Sequence, residues 1–418
     1  MSAEVNARVA AVWRLEAGRI IAALTRLVRD VGLGEELAQD ALVAALESWP
    51  RHGVPDNPGG WLMVVAKRRA LDHLRRDKLL ARKHAELAGE LELAQQSADG
   101  AAFDEEIGDD LLRLMFTACH PLLSIDARVG LTLRLLGGLT TEEIARAFLS
   151  APATVAQRIV RAKRTLAEAR VPFEVPQGAA LAERLGSVLE VIYLIFNEGY
   201  AATAGEHWTR PALCAEAQRL GRVLAELAPL EPEVHGLLAL MEVQASRLPA
   251  RVDAQGAPVL LLDQDRTRWD RLLIRRGLAA LERAEACAQA LGVPLGPYVL
   301  QAAIAACHAR APTPQATEWP RIVALYDALA QLARSPVVEL NRAVAVAMAY
   351  GPAEGLRIVD ALRAEPSLAD YHLLPSVRGD LLAKLGRADE AREEFKRAAG
   401  LTRNDRERAL LLQRARLP

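Results

Sequence analysis

Aromatic residues are scarce: six Trp, six Tyr and six Phe make up 4% of 418 residues. Sheets draw on aromatic and β-branched side chains, so this poverty, beside an abundance of Ala and Leu, favours helices. Cysteine is rarer still. The four present, Cys119, Cys214, Cys287 and Cys307, are spaced too widely for a disulfide framework or a zinc ribbon. Neither sign of charge dominates, with 52 Lys and Arg against 53 Asp and Glu. The N-terminus lacks an apolar signal core, and no run of about 18 apolar residues is available to span a membrane. No P-loop, GxSxG elbow or HExxH motif occurs. The doublets Cys119–His120 and Cys307–His308 would point their side chains about 100° apart on a helix, awkward for holding one metal. No catalytic residue, metal or cofactor is therefore expected. What remains is ordinary for a soluble chain of about two to four domains: 51% hydrophobic and 25% charged. The expected class is all-α, cytoplasmic and without membrane contact.

The near-neutral total hides a segregated charge map. Residues 1–84 carry +4, residues 85–110 carry −9 with no Lys or Arg, and residues 111–173 carry +5. Two basic modules thus flank an acidic connector, expected as a flexible linker with some nascent helix. Eight basic residues crowd Lys67–Lys83 against only Asp72 and Asp77. Such a cluster suits a polyanion, because each cation placed on phosphate releases a counterion; it equally suits a solvated helix end.

Helical periods run throughout. Leu24, Leu27, Val28 and Val31 follow i, i+3, i+4, i+7, and Pro50 is expected to stop the next helix. Residues 51–60 read as a Pro- and Gly-punctuated loop, and Trp61 opens a helix. The loop offers Arg51, His52, Asp56 and Asn57, flanked by Trp49 and Trp61. These suit holding an unstacked base; the tryptophans more commonly pack in the core, a loop histidine such as His52 is more commonly solvated, and Asp56 and Asn57 also suit turn hydrogen bonds.

The segment 138–166 reads as two helices joined by a tight turn. Thr140 with Glu143 makes a capping box. In the second helix Val155, Ile159, Ala162 and Leu166 share one face, and Thr154, Gln157, Arg158 and Arg161 another. One buried stripe and one presented to a major groove is what a helix-turn-helix requires. Gln157 and Arg158 suit base edges, while Arg161, Lys163 and Arg164 lie where phosphate contact is natural.

Both modules, in this order, resemble the extracytoplasmic-function group of bacterial RNA polymerase sigma factors (sigma-70 family). GEELAQDAL (34–42) resembles the polymerase-binding helix of sigma region 2. The resemblance implies that Glu35, Glu36, Gln39 and Asp40 dock on the β′ clamp helices of core RNA polymerase, with region 4 at the β flap. Spacing alone does not separate docking from an ordinary exposed helix face for Glu36, Gln39 and Asp40. WLMVVAKRRALDHLRR (61–76) resembles the helix that recognises and opens the −10 element, which implies DNA contacts by Asn57, Lys67, Arg68, Arg69, Arg75 and Arg76. The second module resembles region 4, reading the −35 element of promoter DNA through Thr154, Gln157, Arg158, Arg161, Lys163 and Arg164. Arg68 stands where members often have Asn, Leu149 where a turn Gly is usual and Ala156 where Lys is common, so promoter letters do not transfer.

Residues 371–401 resemble a tetratricopeptide repeat, with Gly386 at the turn and Ala391 and Phe395 following. Residues 336–362 repeat that layout, Gly351 lying 35 residues before Gly386. Asn197, Glu198, Tyr200, Asp263, Asp265, Arg266, Arg268 and Asp270 stand among apolar helices, where they suit acid–base work or, more commonly, helix ends and hydrogen bonds between repeats. The whole resembles the sigma subgroup with a C-terminal tetratricopeptide-like extension. That implies region 2 over 7–84, a linker over 85–110, region 4 over 111–172 and a regulatory helical domain over 178–418. A protein or small-molecule regulator at the extension is the further partner expected. The expected function is an alternative sigma factor; the alternative is a helix-turn-helix regulator or adaptor without sigma activity.

Overall fold

The computed structural model describes residues 2–85, 103–148 and 150–416, and the fold is all-α. Contacts divide it into two compact units, Met1–Val191 and Ile192–Pro418. The division falls inside one helix.

The first unit begins with α1 (Ser2–Val28), α2 (Val31–His52) and α3 (Pro58–Ala85). The single helical run expected through Val31 is two helices: Arg29 adopts a positive φ of 56°, and the Asp30 side chain accepts from Leu33 N as the cap of α2. Pro50 does not stop α2. The helix continues to His52 and ends at Gly53, whose φ of 86° suits only a residue without Cβ. α3 likewise starts three residues before Trp61. Asn57 explains this, because its Oδ1 accepts from Gly60 N at 2.9 Å and satisfies the first turn.

After the undescribed residues 86–102 come α4 (Phe103–Ala118), α5 (Ile125–Leu135), α6 (Thr141–Ala147), α7 (Pro152–Glu168) and α8 (Ala179–Tyr200). Residues 103–110, expected as connector, form the first half of α4, which packs along α1. Acidic composition misleads there because Asp110 is buried, with Arg26 Nε at 2.9 Å and Arg113 Nη1 at 2.7 Å. Ile20 and Leu24 of α1, Trp49 of α2, Leu62 of α3, Phe116 of α4 and Leu131 of α5 are fully buried. Trp49 is thus a core residue, its ring 5.6 Å edge-on from Trp61.

The start of α8 belongs to this unit. Arg184 Nη2 donates to the Phe116 carbonyl at 2.8 Å, and Ser187 Oγ to the Cys119 carbonyl at 2.6 Å. Arg128 reaches Ser187 Oγ at 2.5 Å and Glu190 at 3.1 Å. Those carbonyls end α4 and need donors, which the segment supplies.

The second unit continues through α9 (Pro211–Leu227), α10 (Pro232–Ala245), α11 (Arg271–Leu291), α12 (Pro297–Arg310), α13 (Trp319–Leu332), α14 (Pro336–Tyr350), α15 (Pro352–Leu362), α16 (Leu373–Lys384), α17 (Ala388–Leu401) and α18 (Asp405–Arg414). Consecutive helices from α12 onward pack on one another. Gly351 and Gly386 make the expected turns α14–α15 and α16–α17 with φ of 107° and 76°. Ala391 and Phe395 lie in the core with Leu340, Val359 and Leu382. Arg378 clamps three helices, donating to Asp360 and Glu394 at 2.7 Å each. Two-residue strands β1 (Ala204–Gly205) and β2 (Arg403–Asn404) pair in parallel, so the last turns return to the unit's beginning. The fully buried Asn404 fixes that return. Its Nδ2 donates to the carbonyls of Ala202 and His207 at 3.0 and 2.9 Å, and its Oδ1 caps α18 by accepting from Arg406 N and Glu407 N.

Among the described residues no helix is long and apolar enough to cross a membrane, and no three His, Cys, Asp or Glu side chains gather as metal ligands. Burial pushes the Cys119 thiol up to about 11, despite its Thr132 contact, and leaves it protonated at neutral pH.

Candidate nucleic-acid interface

The helical pair α6–α7 forms as its residue pattern dictates. Thr140 N donates to Glu143 Oε2 at 2.9 Å and Glu143 N to Thr140 Oγ1 at 3.1 Å, a reciprocal box. Burial opposes ionisation of Glu143, but the Thr140 amide and the Arg14 guanidinium outweigh it and hold the carboxyl below its ordinary range. Pro152 opens α7, where the missing N–H costs nothing. Val155, Ile159, Ala162 and Leu166 are the buried residues of α7, resting on α5 and α6.

The opposite face carries the candidate readers. Thr154, Gln157, Arg161 and Arg164 are exposed along one stripe at spacings of three and four. Arg158 is half-buried and pairs with Asp126 at 3.2 Å, and Arg164 pairs with Glu168 at 2.6 Å. Exposed pairs of this kind hold weakly, so either guanidinium can exchange its carboxylate for a phosphate. Lys163 is different. It turns away from the stripe and ion-pairs with Glu35 on α2. Leu149, at the turn, lies outside the described residues.

Glu35 is the centre of a contact that sequence spacing does not reveal. Its carboxylate is buried, pairs with Lys163 and accepts from Arg134 Nε at 2.6 Å and Gln39 Nε2 at 2.8 Å. Arg134 in turn donates to the Leu139 carbonyl at 3.2 Å. Of the four candidate docking residues, Glu36 and Asp40 are exposed, Gln39 is half-buried, and Glu35 faces α5 and α7. No periodicity signals this, because the partners lie about 100 and 130 residues away.

On α3, Leu62, Ala66 and Ala70 form the buried edge. Arg68, Arg75 and Arg76 are exposed, whereas Lys67 and Arg69 are half-buried. Arg69 Nη1 meets Asp40 at 3.0 Å and Arg75 meets Asp72 at 3.7 Å. The side chains of residues 77–85, the end of the basic cluster, lie outside the described set. Beside the exposed cap Asn57, a groove of about 530 Å³ runs between α1 and the start of α3. Val12, Leu15, Met63 and Val64 give it apolar walls; Glu16, Arg19 and Asn57 add polar groups. Leu15 and Val64 are strongly exposed, at 64% and 68%.

In the second unit Asp265 accepts from Thr267 N at 2.9 Å, and Asp270 caps α11 through Leu272 N and Leu273 N. Glu198 pairs with Arg210 and accepts from Thr203 Oγ1 at 2.9 Å. These are the helix-end and loop duties that the residue types suggest.

Comparison with known proteins adds family membership. Residues 13–79 match the model for sigma-70 region 2 and residues 113–166 that for sigma-70 region 4. Residues 184–285 match a family of unknown function (DUF6596). An "Uncharacterized protein R00370" of Rhizobium meliloti is 45% identical over 395 residues, covering 93% of this chain and 90% of the relative. A "Probable ECF RNA polymerase sigma factor SigI" of Mycobacterium tuberculosis is 26% identical over 267 residues, covering 57% of this chain and 90% of the relative. No solved structure matches. With two sigma-70 modules in order on two helical scaffolds, the chain belongs to the extracytoplasmic-function group of the sigma-70 family and carries a C-terminal helical extension.

Proposed function

We propose that this protein is an alternative sigma factor that binds core RNA polymerase in the cytoplasm, recognises −35 and −10 promoter elements and starts transcription, under the control of its C-terminal extension. The observation that carries the reading is the division of α7: an apolar stripe buried on α5 and α6, and an outward stripe of Thr154, Gln157, Arg161 and Arg164. Gln157 offers the donor–acceptor pair that matches adenine, and the arginines supply charge for phosphate. On α3 the exposed Arg68, Arg75 and Arg76 form the backbone track for the −10 region. The groove beside Asn57 supplies an apolar wall and a polar edge for a base taken out of the stack.

Polymerase docking falls to the exposed Glu36 and Asp40 with Gln39. Glu35 joins them once α7 parts from α2, since here Lys163 and Arg134 occupy its carboxylate. The protein makes and breaks no bond; its role is to place and open DNA.

The test is run-off transcription by core polymerase with the full-length protein on a genomic promoter library. Promoter-dependent transcripts that vanish without the protein support the reading. DNA binding without any transcript overturns it in favour of a regulator that does not program polymerase.

A further inference from the structure

The second unit holds three arginines that no carboxylate pairs among the described residues. Arg247 follows α10, Arg251 lies four residues on, and Arg266 sits in the 3-10 turn Arg266–Arg268. Arg247 and Arg266 are 7% and 8% exposed. None of the three is ion-paired among the described residues. Of the carboxylates near them in sequence, Glu198 is engaged by Arg210, Glu242 by Arg222 at 2.8 Å, Asp265 by Thr267 N at 2.9 Å, and Asp270 caps the start of α11.

The guanidiniums are held on aromatic rings instead. Arg251 lies 3.7 Å from the ring centre of Tyr200 and 5.5 Å from that of Trp208; Arg247 approaches Tyr200 at 5.8 Å and Arg266 lies 4.6 Å over Trp269. A ring fixes the plane of a guanidinium and leaves its edge N–H groups free. Arg266 Nη1 donates to the carbonyls of His308 and Ala311 at 2.7 and 2.6 Å, which anchors it at the end of α12. Its Nε and Nη2 have no partner, nor has Nε of Arg247 or of Arg251. His308 Nδ1 and Trp269 Nε1 are likewise unpartnered.

Buried, unpaired charge is costly unless something completes it. We propose that Arg247, Arg251 and Arg266 form a binding site for a small phosphate-bearing ligand in the C-terminal extension. Three guanidiniums bring three positive charges and four unpartnered nitrogens; a carboxylate offers one negative charge with its lone pairs in one plane, whereas a tetrahedral phosphate dianion offers oxygens in several directions and two charges. Half-buried Arg251, between Tyr200 and Trp208, forms the open side of the site. The site neither depends on the sigma-factor reading nor belongs to the DNA-facing surfaces.

The experiment measures inorganic phosphate binding to the full-length protein by calorimetry and by thermal unfolding, with sodium chloride at matched ionic strength and sodium acetate as separate arms. Phosphate should bind and raise the unfolding temperature where chloride does not. Arg247→Gln should weaken phosphate binding about tenfold or more, one charge-assisted contact being lost, while leaving the ligand-free protein as stable or more so. A purely structural role predicts the reverse, destabilisation without phosphate dependence. Should Arg247→Gln fail to fold, the half-buried Arg251→Gln supplies the same comparison. The proposal is overturned if phosphate acts no differently from chloride, if acetate binds as well as phosphate, or if the folded variants retain wild-type affinity.

Discussion

Removing the charge of Glu35 is the most direct probe of how the DNA-reading helix is held. In Glu35→Gln the shape is kept, but Arg134 and Lys163 lose their shared carboxylate. Breaking a fully buried pair costs about 3–5 kcal/mol and breaking an exposed one about 0–1. The Glu35 side chain is 4% exposed and its two cations 21% and 22%, so water recovers them in part after the change. The loss should therefore lie near 2 kcal/mol, which is about 30-fold in the opening equilibrium at about 1.4 kcal/mol per tenfold. Native-state amide exchange on the full-length chain reads this region by region. Peptides from α7 and the start of α2 should exchange about 30-fold faster, while those from α16 and α17 should not change. The coupling is then isolated by a double-mutant cycle with Lys163→Ala. Exchange within about threefold of wild type, or strictly additive costs in the cycle, would refute the idea that this carboxylate fastens α7 to α2.

Other outcomes follow from the same structure. Arg164→Ala should weaken DNA binding across all sequences and lower the salt slope by about one, whereas Gln157→Ala should change base preference at one position; titrations in salt and a binding-site selection separate the two. A fragment ending at residue 175 should unfold more easily than one ending at 191 by roughly 2–4 kcal/mol, because Arg184, Ser187 and Glu190 serve the end of α4 and Arg128; chemical denaturation of both fragments checks this. Burial, then Arg247 and Arg266, push His308 down to about 4 from 6.5. The unfolded chain thus holds the extra proton between those values. The His308 contribution is fully present above about pH 6.5 and is lost, by up to about 1.4 kcal/mol per pH unit, as pH falls toward 4. Denaturation of the second unit as a function of pH should show this slope, and His308→Gln should flatten it.

Much of the fold is local and was therefore legible. The capping box at Thr140, the four buried residues of α7 and the glycine turns at 351 and 386 depend on neighbours within one or two turns. The errors are of two kinds. Pro50 and Val31 mislead because helix ends are set by caps, and Asp30 and Gly53 decide them. The acidity of residues 103–110 suggests a connector, yet they are helical and the buried Asp110 is matched by Arg26 from another helix. Within the candidate interface, the exposed stripe of α7 was foreseeable from periodicity. The burial of Glu35 and the inward turn of Lys163 were not, since their partners come from distant elements. The arginine group around Tyr200 was invisible for the same reason.

The return of the chain's last turns to its 202–207 loop makes Asn404 a keystone. Open stacks of helical hairpins fray from either end, each hairpin answering only to its neighbours. Here one amide side chain spends all its bonding capacity on a lock between stretches some two hundred residues apart. Deleting residues 403–416 would therefore be felt upstream, at the segment that carries Trp208, and the array would melt as a single hoop rather than unravel hairpin by hairpin.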